Sequence, residues 1–147
     1  MRGLSLVLAV AVLAGACGGS AVSSSQTRAL EAAEERWGAA GISDYNLVVE
    51  YRCFCIRERN GPFEVTVKDG EVAEVRFDGT VIEPQPGITP VEAFTVEGLF
   101  GEIRSSLDAN EITVSYHERG NPTLIDIDQD LDFIDDELTI TAVLTTP

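Results

Sequence analysis

The clearest pattern in the chain is the alternation of side chains between Asp44 and Cys55, where every second residue faces the same way. A period of two is typical of a strand with one buried face, and it places Tyr45, Cys53 and Cys55 on that face. Shorter patterns of the same kind, separated by turn sequences such as Asp69-Gly70, predict the other strands. They span residues 63–68, 72–77, 111–116, 123–128 and 138–144.

Two segments have the periodicity of helices. The first predicted helix spans residues 28–39 and packs one narrow apolar face through Trp37. The second begins after Thr95, whose hydroxyl is a favourable cap for a helix N-terminus. Its apolar stripe consists of Leu99, Ile103 and Leu107.

The predicted order is therefore α-β-β-β followed by α-β-β-β, as in two copies of one unit. Strands joined by hairpins, together with only two helices, are typical of the α+β class. We expect a mainly antiparallel sheet with both helices on one face. A length of 147 residues favours a single domain, and we assign it to residues 27–147.

The N-terminus has the layout of a secretory signal over residues 1–16: one arginine, an apolar run and small residues at the end. The apolar run is shorter than the ~20 residues that span a bilayer. The residues around Cys17 resemble a bacterial lipobox, which implies that Cys17 becomes the first mature residue and carries lipid such as palmitate. The alternative is a plain signal peptide with an unrelated cysteine. If Cys17 is lipidated, residues 17–26 form the lipidated end and a flexible tether in the cell envelope.

The net charge of the chain limits the kinds of partner that it can bind. The chain has 10 Lys and Arg against 25 Asp and Glu, a formal net charge of −15. Such a surface repels phosphate backbones and anionic headgroups, which argues against nucleic acid and against polybasic contact with membranes. The chain contains no nucleophile-elbow, zinc-protease, P-loop or dinucleotide motif. We therefore predict a protein that is not an enzyme and has no organic cofactor.

Cys53 and Cys55 are an even pair once Cys17 is lipidated, and an oxidising compartment favours a disulfide between them. Residues two apart in a flat strand are about 6.6 Å apart, near the upper limit for a disulfide, so a bond needs a bulge or the end of the strand. Two buried thiols, or a redox or soft-metal site, are the alternatives.

An acidic stretch near the C-terminus is a candidate calcium site, because crowded carboxylates repel one another unless neutralised. Its spacing partly matches an EF-hand loop, but Leu131 stands where the sharp turn requires glycine. The alternative is a solvated acidic loop that protects an edge strand from pairing. The candidate ligands are Asp126, Asp128, Asp130, Asp132, Asp135, Asp136 and Glu137.

Several short motifs, in matching order and spacing, carry a family resemblance. The most specific are Asp44-Tyr45, Cys53-Phe54-Cys55 and Asp135-Asp136-Glu137. Together they resemble the uncharacterised bacterial lipoproteins of domain of unknown function 6174. The chain departs from that pattern at Ile56, where proline is frequent, and at His117, where aspartate is frequent. The resemblance implies an envelope lipoprotein with an α+β fold, and it supplies no activity or catalytic residue.

These observations predict a lipid-anchored extracytoplasmic module that binds an envelope protein or a cation. Its exposed candidate surfaces are the 126–137 loop and the proline-rich segment 83–90, which is expected to be irregular. A thiol-disulfide or metal-handling protein centred on Cys53 and Cys55 is the alternative. The single histidine, His117, is expected to be an exposed turn residue, since no candidate nucleophile accompanies it.

Overall fold

The computed structural model describes residues 20–129 and 137–146. Within them, no helix has both the length and the apolar character needed to cross a membrane. The elements are α1 (Ser20–Ala40), β1 (Tyr45–Arg52), α2 (Arg57–Asn60), β2 (Phe63–Lys68), β3 (Glu71–Phe77), β4 (Thr80–Val81), a 3₁₀ turn (Val91–Ala93), α3 (Val96–Ser105), β5 (Glu111–Tyr116), β6 (Pro122–Asp128) and β7 (Glu137–Thr145).

The strands form one antiparallel sheet in the order β4-β3-β2-β1-β7-β6-β5. Two meanders, β1 to β4 and β5 to β7, are joined where β1 pairs with β7. The α+β class and the antiparallel sheet are thus confirmed. The short elements α2 and β4 were not expected. In the first of the two predicted α-β-β-β units, α2 lies between the first two strands and β4 follows the third. The doubled unit and the placement of both helices on one face stay predictions.

Tyr45 of β1 contacts both long helices. The Trp37 ring of α1 stands edge-on to the Tyr45 ring, with 5.6 Å between centroids. The backbone N–H of Val96, at the start of α3, donates to the Tyr45 hydroxyl at 3.0 Å. Burial, opposed by this hydrogen bond, raises the pKa of Tyr45 to about 12. The other buried side chains of β1 are Leu47, Val49 and Tyr51.

The first helix is longer than predicted. It begins at Ser20 rather than at residue 28, so residues 20–26 of the predicted tether are helical. These residues include serine, alanine and valine but neither glycine nor proline, so a helix can extend back through them at modest cost. The cap of α3 is as predicted, since the Thr95 hydroxyl accepts a hydrogen bond from the Gly98 N–H at 3.0 Å.

The first strand is shorter than predicted, ending at Arg52 rather than at Cys55. Cys53 and Cys55 are joined by a disulfide across a bend, with Cα atoms 5.2 Å apart. A flat strand would hold these atoms about 6.6 Å apart. The chain therefore leaves the sheet before the bond, which is the strand-end geometry that the disulfide hypothesis required.

Candidate functional site

A groove of about 420 Å³ opens between α2, the start of β2, the end of β3 and the segment after β4. A volume of this size falls within the range typical of ligand sites. Its walls are mainly apolar, and its rim carries two carboxylates, one amide and one hydroxyl. The lining residues are Ile56, Phe63, Phe77, Ile82 and Ile88 on the walls, and Glu58, Glu83, Gln85 and Thr89 around them.

The proline-rich wall of the groove is held by hydrogen bonds within the wall itself. The Thr89 hydroxyl accepts from the Gln85 N–H at 2.8 Å and donates to the Gln85 carbonyl at 3.0 Å. That carbonyl also accepts from the N–H groups of Ile88 and Thr89. Because Thr89 is buried, these bonds are shielded from water. Within the segment 83–90, which was predicted to be irregular and exposed, these bonds close residues 85–89 into a turn.

The opposite wall is the short helix α2, which has no buried residue of its own. Its two arginines hold it in place. Arg57 pairs with Asp78, and its guanidinium carbon lies 5.6 Å from the centroid of the Phe77 ring. Arg59 lies over the Tyr51 ring with its guanidinium carbon 5.9 Å from the centroid. Such cation–π contacts bring α2 against the sheet without an apolar face.

The disulfide loop, residues 53–56, lies between β1 and α2 and presents apolar side chains to solvent. The cysteines were expected to form a disulfide, to remain buried thiols or to make a redox or soft-metal site. In the structure they form the disulfide. Cys53 and Cys55 alternate with the exposed Arg52, Phe54 and Ile56 as predicted, but the strand has already ended there and both are half-buried rather than core residues. Phe54 between them is 84% exposed, and Ile56 is 56% exposed. The amide oxygen of Asn60 lies 3.1 Å from the Cys55 sulfur.

The acidic stretch is only partly described. Asp130, Asp132, Asp135 and Asp136 lie outside the described residues. Asp128 of β6 is the direct cross-strand neighbour of both Glu111 and Glu137, so three carboxylates form one row. Its Oδ1 atom is buried without a hydrogen-bond partner among the described atoms, and like charges opposite one another destabilise a sheet.

Next to this row, the Asp126 carboxylate accepts from the Thr139 hydroxyl at 2.8 Å. A cavity of about 170 Å³ opens among these side chains. In residues 20–129 and 137–146, no three acidic, histidine or cysteine side chains are grouped closely enough to hold a metal ion. The described part of the stretch is therefore not a complete calcium site on its own.

His117 lies in a hydrogen-bonded turn and is half-buried, so the expectation of an exposed histidine is wrong. Its ring Nδ1 accepts from the backbone N–H of Arg119 at 3.2 Å, and the backbone N–H of His117 donates to the Asn121 carbonyl at 2.9 Å. The turn is pressed onto α1 at Gly120, where an added Cβ would lie 2.1 Å from the Ala33 carbonyl oxygen. A structural role accounts for these contacts.

A polar cluster lies beside the buried Tyr51, in which Glu102 and Arg59 are half-buried and Glu92 is exposed. The Tyr51 hydroxyl is buried without a hydrogen-bond partner among the described residues, and burial raises its pKa. Burial first, and the neighbouring carboxylate of Glu92 second, also raise the pKa of Glu102, while Arg59 opposes the shift. The cluster thus favours neutral forms of both groups.

The comparisons with known proteins add one finding. A model of the family of unknown function DUF6174 matches residues 29–147. The chain belongs to this family. The matched part of this DUF6174 protein includes the groove, the disulfide loop and the acidic stretch, whereas Cys17 precedes it. No curated protein and no solved structure matches the chain. The family resemblance is confirmed, and with it comes no assigned activity.

Sequence reasoning did not predict the groove, because its walls come from segments far apart in the chain. One signal did point to it. Arg52, Arg57 and Arg59 are three of the 10 basic residues in the chain, and they flank Phe54 and Ile56. Exposed apolar residues among arginines are unusual in so acidic a protein, and they mark the loop beside the groove.

Proposed function

We propose that the protein is a lipid-anchored binding module of the bacterial cell envelope and not an enzyme. One observation carries the binding role, namely the groove, whose proline-rich wall is closed by the hydrogen bonds between the buried Thr89 and Gln85. A site organised before binding loses little conformational entropy when a partner docks. An acidic surface, consistent with the net charge of −15, would disfavour nucleic acids and anionic lipid headgroups as partners.

The anchoring is tested with a Cys17→Ser variant of the full chain, expressed in a bacterium that processes lipoproteins. We expect the parent protein in the membrane fraction, with an intact mass that includes acyl chains. The variant is expected to leave the membrane fraction or to accumulate as an unprocessed precursor. An unchanged distribution and mass would contradict the lipid anchor.

The binding role is tested by capture of partners from gently solubilised membranes with the tagged full chain. Ile88→Glu places a charge on the groove wall and is expected to abolish capture. Val81→Glu is the matched control, because Val81 is also an exposed apolar residue, at 51% against 39% for Ile88, and does not line the groove. Equal capture by both variants would show that partners bind elsewhere.

Calcium binding is a second candidate function, favoured by the buried and unpartnered Oδ1 of Asp128 within a row of carboxylates. The remaining ligands would come from the acidic stretch between the last two strands. We expect chelation with EDTA to lower the melting temperature of the full chain and added calcium to restore it. A melting temperature that does not change with EDTA would exclude a stabilising calcium ion.

The thiol-disulfide alternative depends on reduction and re-oxidation of Cys53–Cys55 by a second protein. A reactive bond would form a mixed disulfide with a partner when one cysteine is replaced. We expect no such adduct with Cys55→Ser in the cell envelope, because the bond serves to hold the loop beside the groove. A trapped partner would favour the redox function instead.

A further inference from the structure

The groove and the disulfide loop are neighbours of opposite curvature. The groove is a concave apolar site, and Phe54 beside it is a convex apolar side chain that is 84% exposed. Ile56, two residues after Phe54, lines the groove itself. A concave site and a protruding ring that are neighbours on one molecule can each be filled by the other feature of a second molecule.

The charges of the two features are also complementary. The rim of the groove carries Glu58 and Glu83, which are exposed and take part in none of the ion pairs between described residues. Arg52, the last residue of β1, directly precedes the loop, and its ion pair with Glu50 is exposed to solvent. Exposed pairs of this kind are weak, so Arg52 can exchange Glu50 for a carboxylate on another molecule.

We propose that the occupant of the groove is the Phe54 loop of a second copy of this chain, inserted reciprocally across a two-fold axis. This inference rests on the proposed binding role of the groove and names the partner. Each copy supplies the ring that completes the site of the other copy, so neither groove is complete in a monomer. Attachment of both copies to one membrane would raise their effective concentration, and a weak contact would then suffice.

The test uses the full chain with Phe54 replaced by the photo-crosslinking amino acid p-benzoylphenylalanine. Two differently tagged copies are expressed together, and intact membranes are irradiated. We expect a crosslinked dimer that carries both tags, with the crosslink mapped to residues 77–89. Crosslinks only to lipid or to a different protein, or no dimer from folded chains, would overturn the proposal.

Two sets of variants locate the contact. Ile88→Glu in both copies is expected to reduce the dimer at least tenfold, whereas the control Val81→Glu in both copies leaves it unchanged. Arg52→Glu and Glu83→Arg are each expected to weaken the dimer, and a mixture of the two variants restores it. A dimer that survives Ile88→Glu would contradict insertion into the groove.

Failure of this proposal is distinguishable from failure of the binding role. If the groove captures another protein in an Ile88-dependent manner but no dimer forms, the binding role stands and the second copy is not the occupant. If neither is captured, both proposals are overturned.

Discussion

The two ends of the sheet are covered in different ways. The helix-covered region comprises β1, β5, β6 and β7 with α1 and α3, and its central side chains, such as Ile103 and Ile125, are fully buried. The loop-covered region comprises β2, β3 and β4 with α2 and residues 82–90. There Phe63 is buried, but Phe77 and Ile82 are only half-buried. Close packing in one region and an open groove in the other suggest that stability and binding are separated within one sheet.

Truncation of one side chain in each region gives the largest expected contrast. Ile103→Ala leaves a cavity under α3 and is expected to lower the free energy of unfolding by about 2–5 kcal/mol. Ile82→Ala, in the groove wall, removes a half-buried side chain and is expected to cost about 1 kcal/mol or less. Denaturant titration of both variants measures the difference. Equal losses would show that the two regions are packed alike.

Gly98 in α3 joins the two regions, and its replacement has the next largest effect. An added Cβ would lie 1.8 Å from the Glu92 carbonyl oxygen of the 3₁₀ turn. Gly98→Ala therefore has to displace the turn, at a cost of about 1–3 kcal/mol. Gly101→Ala is the control in the same helix, since an added Cβ there meets nothing within 4 Å. The control is expected to stabilise the protein by about 0.5–1 kcal/mol.

Loss of the disulfide should affect the loop-covered side most. For so short a loop, the chain-entropy estimate predicts that Cys53→Ser with Cys55→Ser lowers the free energy of unfolding by about 1–2 kcal/mol. Hydrogen exchange is expected to increase most in residues 53–60, through local opening, and in β5 to β7 by no more than the loss of global stability requires. Reduction of the parent protein should reproduce the same pattern. An increase in β5 to β7 as large as that in residues 53–60 would contradict the separation of the two regions.

The smallest expected effect is at Glu102 of α3, in the partly exposed polar cluster beside Tyr51. A raised pKa means that the folded state holds the proton more tightly than the unfolded chain. The resulting stabilisation is present below the unfolded pKa and is lost as pH rises through the folded pKa. Glu102→Gln, which stays neutral, is expected to stabilise the protein at pH 7 by about a few tenths of a kcal/mol, since the site is partly exposed.

Thermal melts at two pH values check this sign. The gain should vanish near pH 3, where the parent carboxyl is also protonated. Glu118→Gln, on the exposed turn beside His117, is expected to change the melting temperature little at either pH. A loss of stability in Glu102→Gln at pH 7 would contradict the assigned direction.

The same contrast explains which parts of the fold the sequence predicts well. The period-two strand 63–68 and the cap at Thr95 agree with the structure, because a local pattern determines each of them. The boundaries of α1 and β1 do not agree. Tertiary contacts and a covalent bond act there, and they leave no periodic signal.

The candidate site is less predictable for the same reason. Its groove depends on how the 83–90 segment returns over Phe63 and Phe77, and composition indicated only that the segment is irregular. The disulfide could be anticipated from Cys53 and Cys55, but the high exposure of Phe54 could not, since it depends on where β1 ends. Side-chain contacts of Arg57 and Arg59, rather than an apolar face, hold α2 beside the groove.

The place of β7 in the sheet has a consequence for biogenesis. β7 is the last described strand, yet it lies between β1 and β6 and is what joins the two meanders. During synthesis or export, β1 and β6 each keep an open edge until residues 137–145 have emerged. Such edges can pair with the wrong chain, and contacts between distant residues form slowly. An emerging chain therefore needs protection until its last strand arrives, and truncation before residue 137 would leave the β1–β4 meander and the β5–β6 hairpin unjoined.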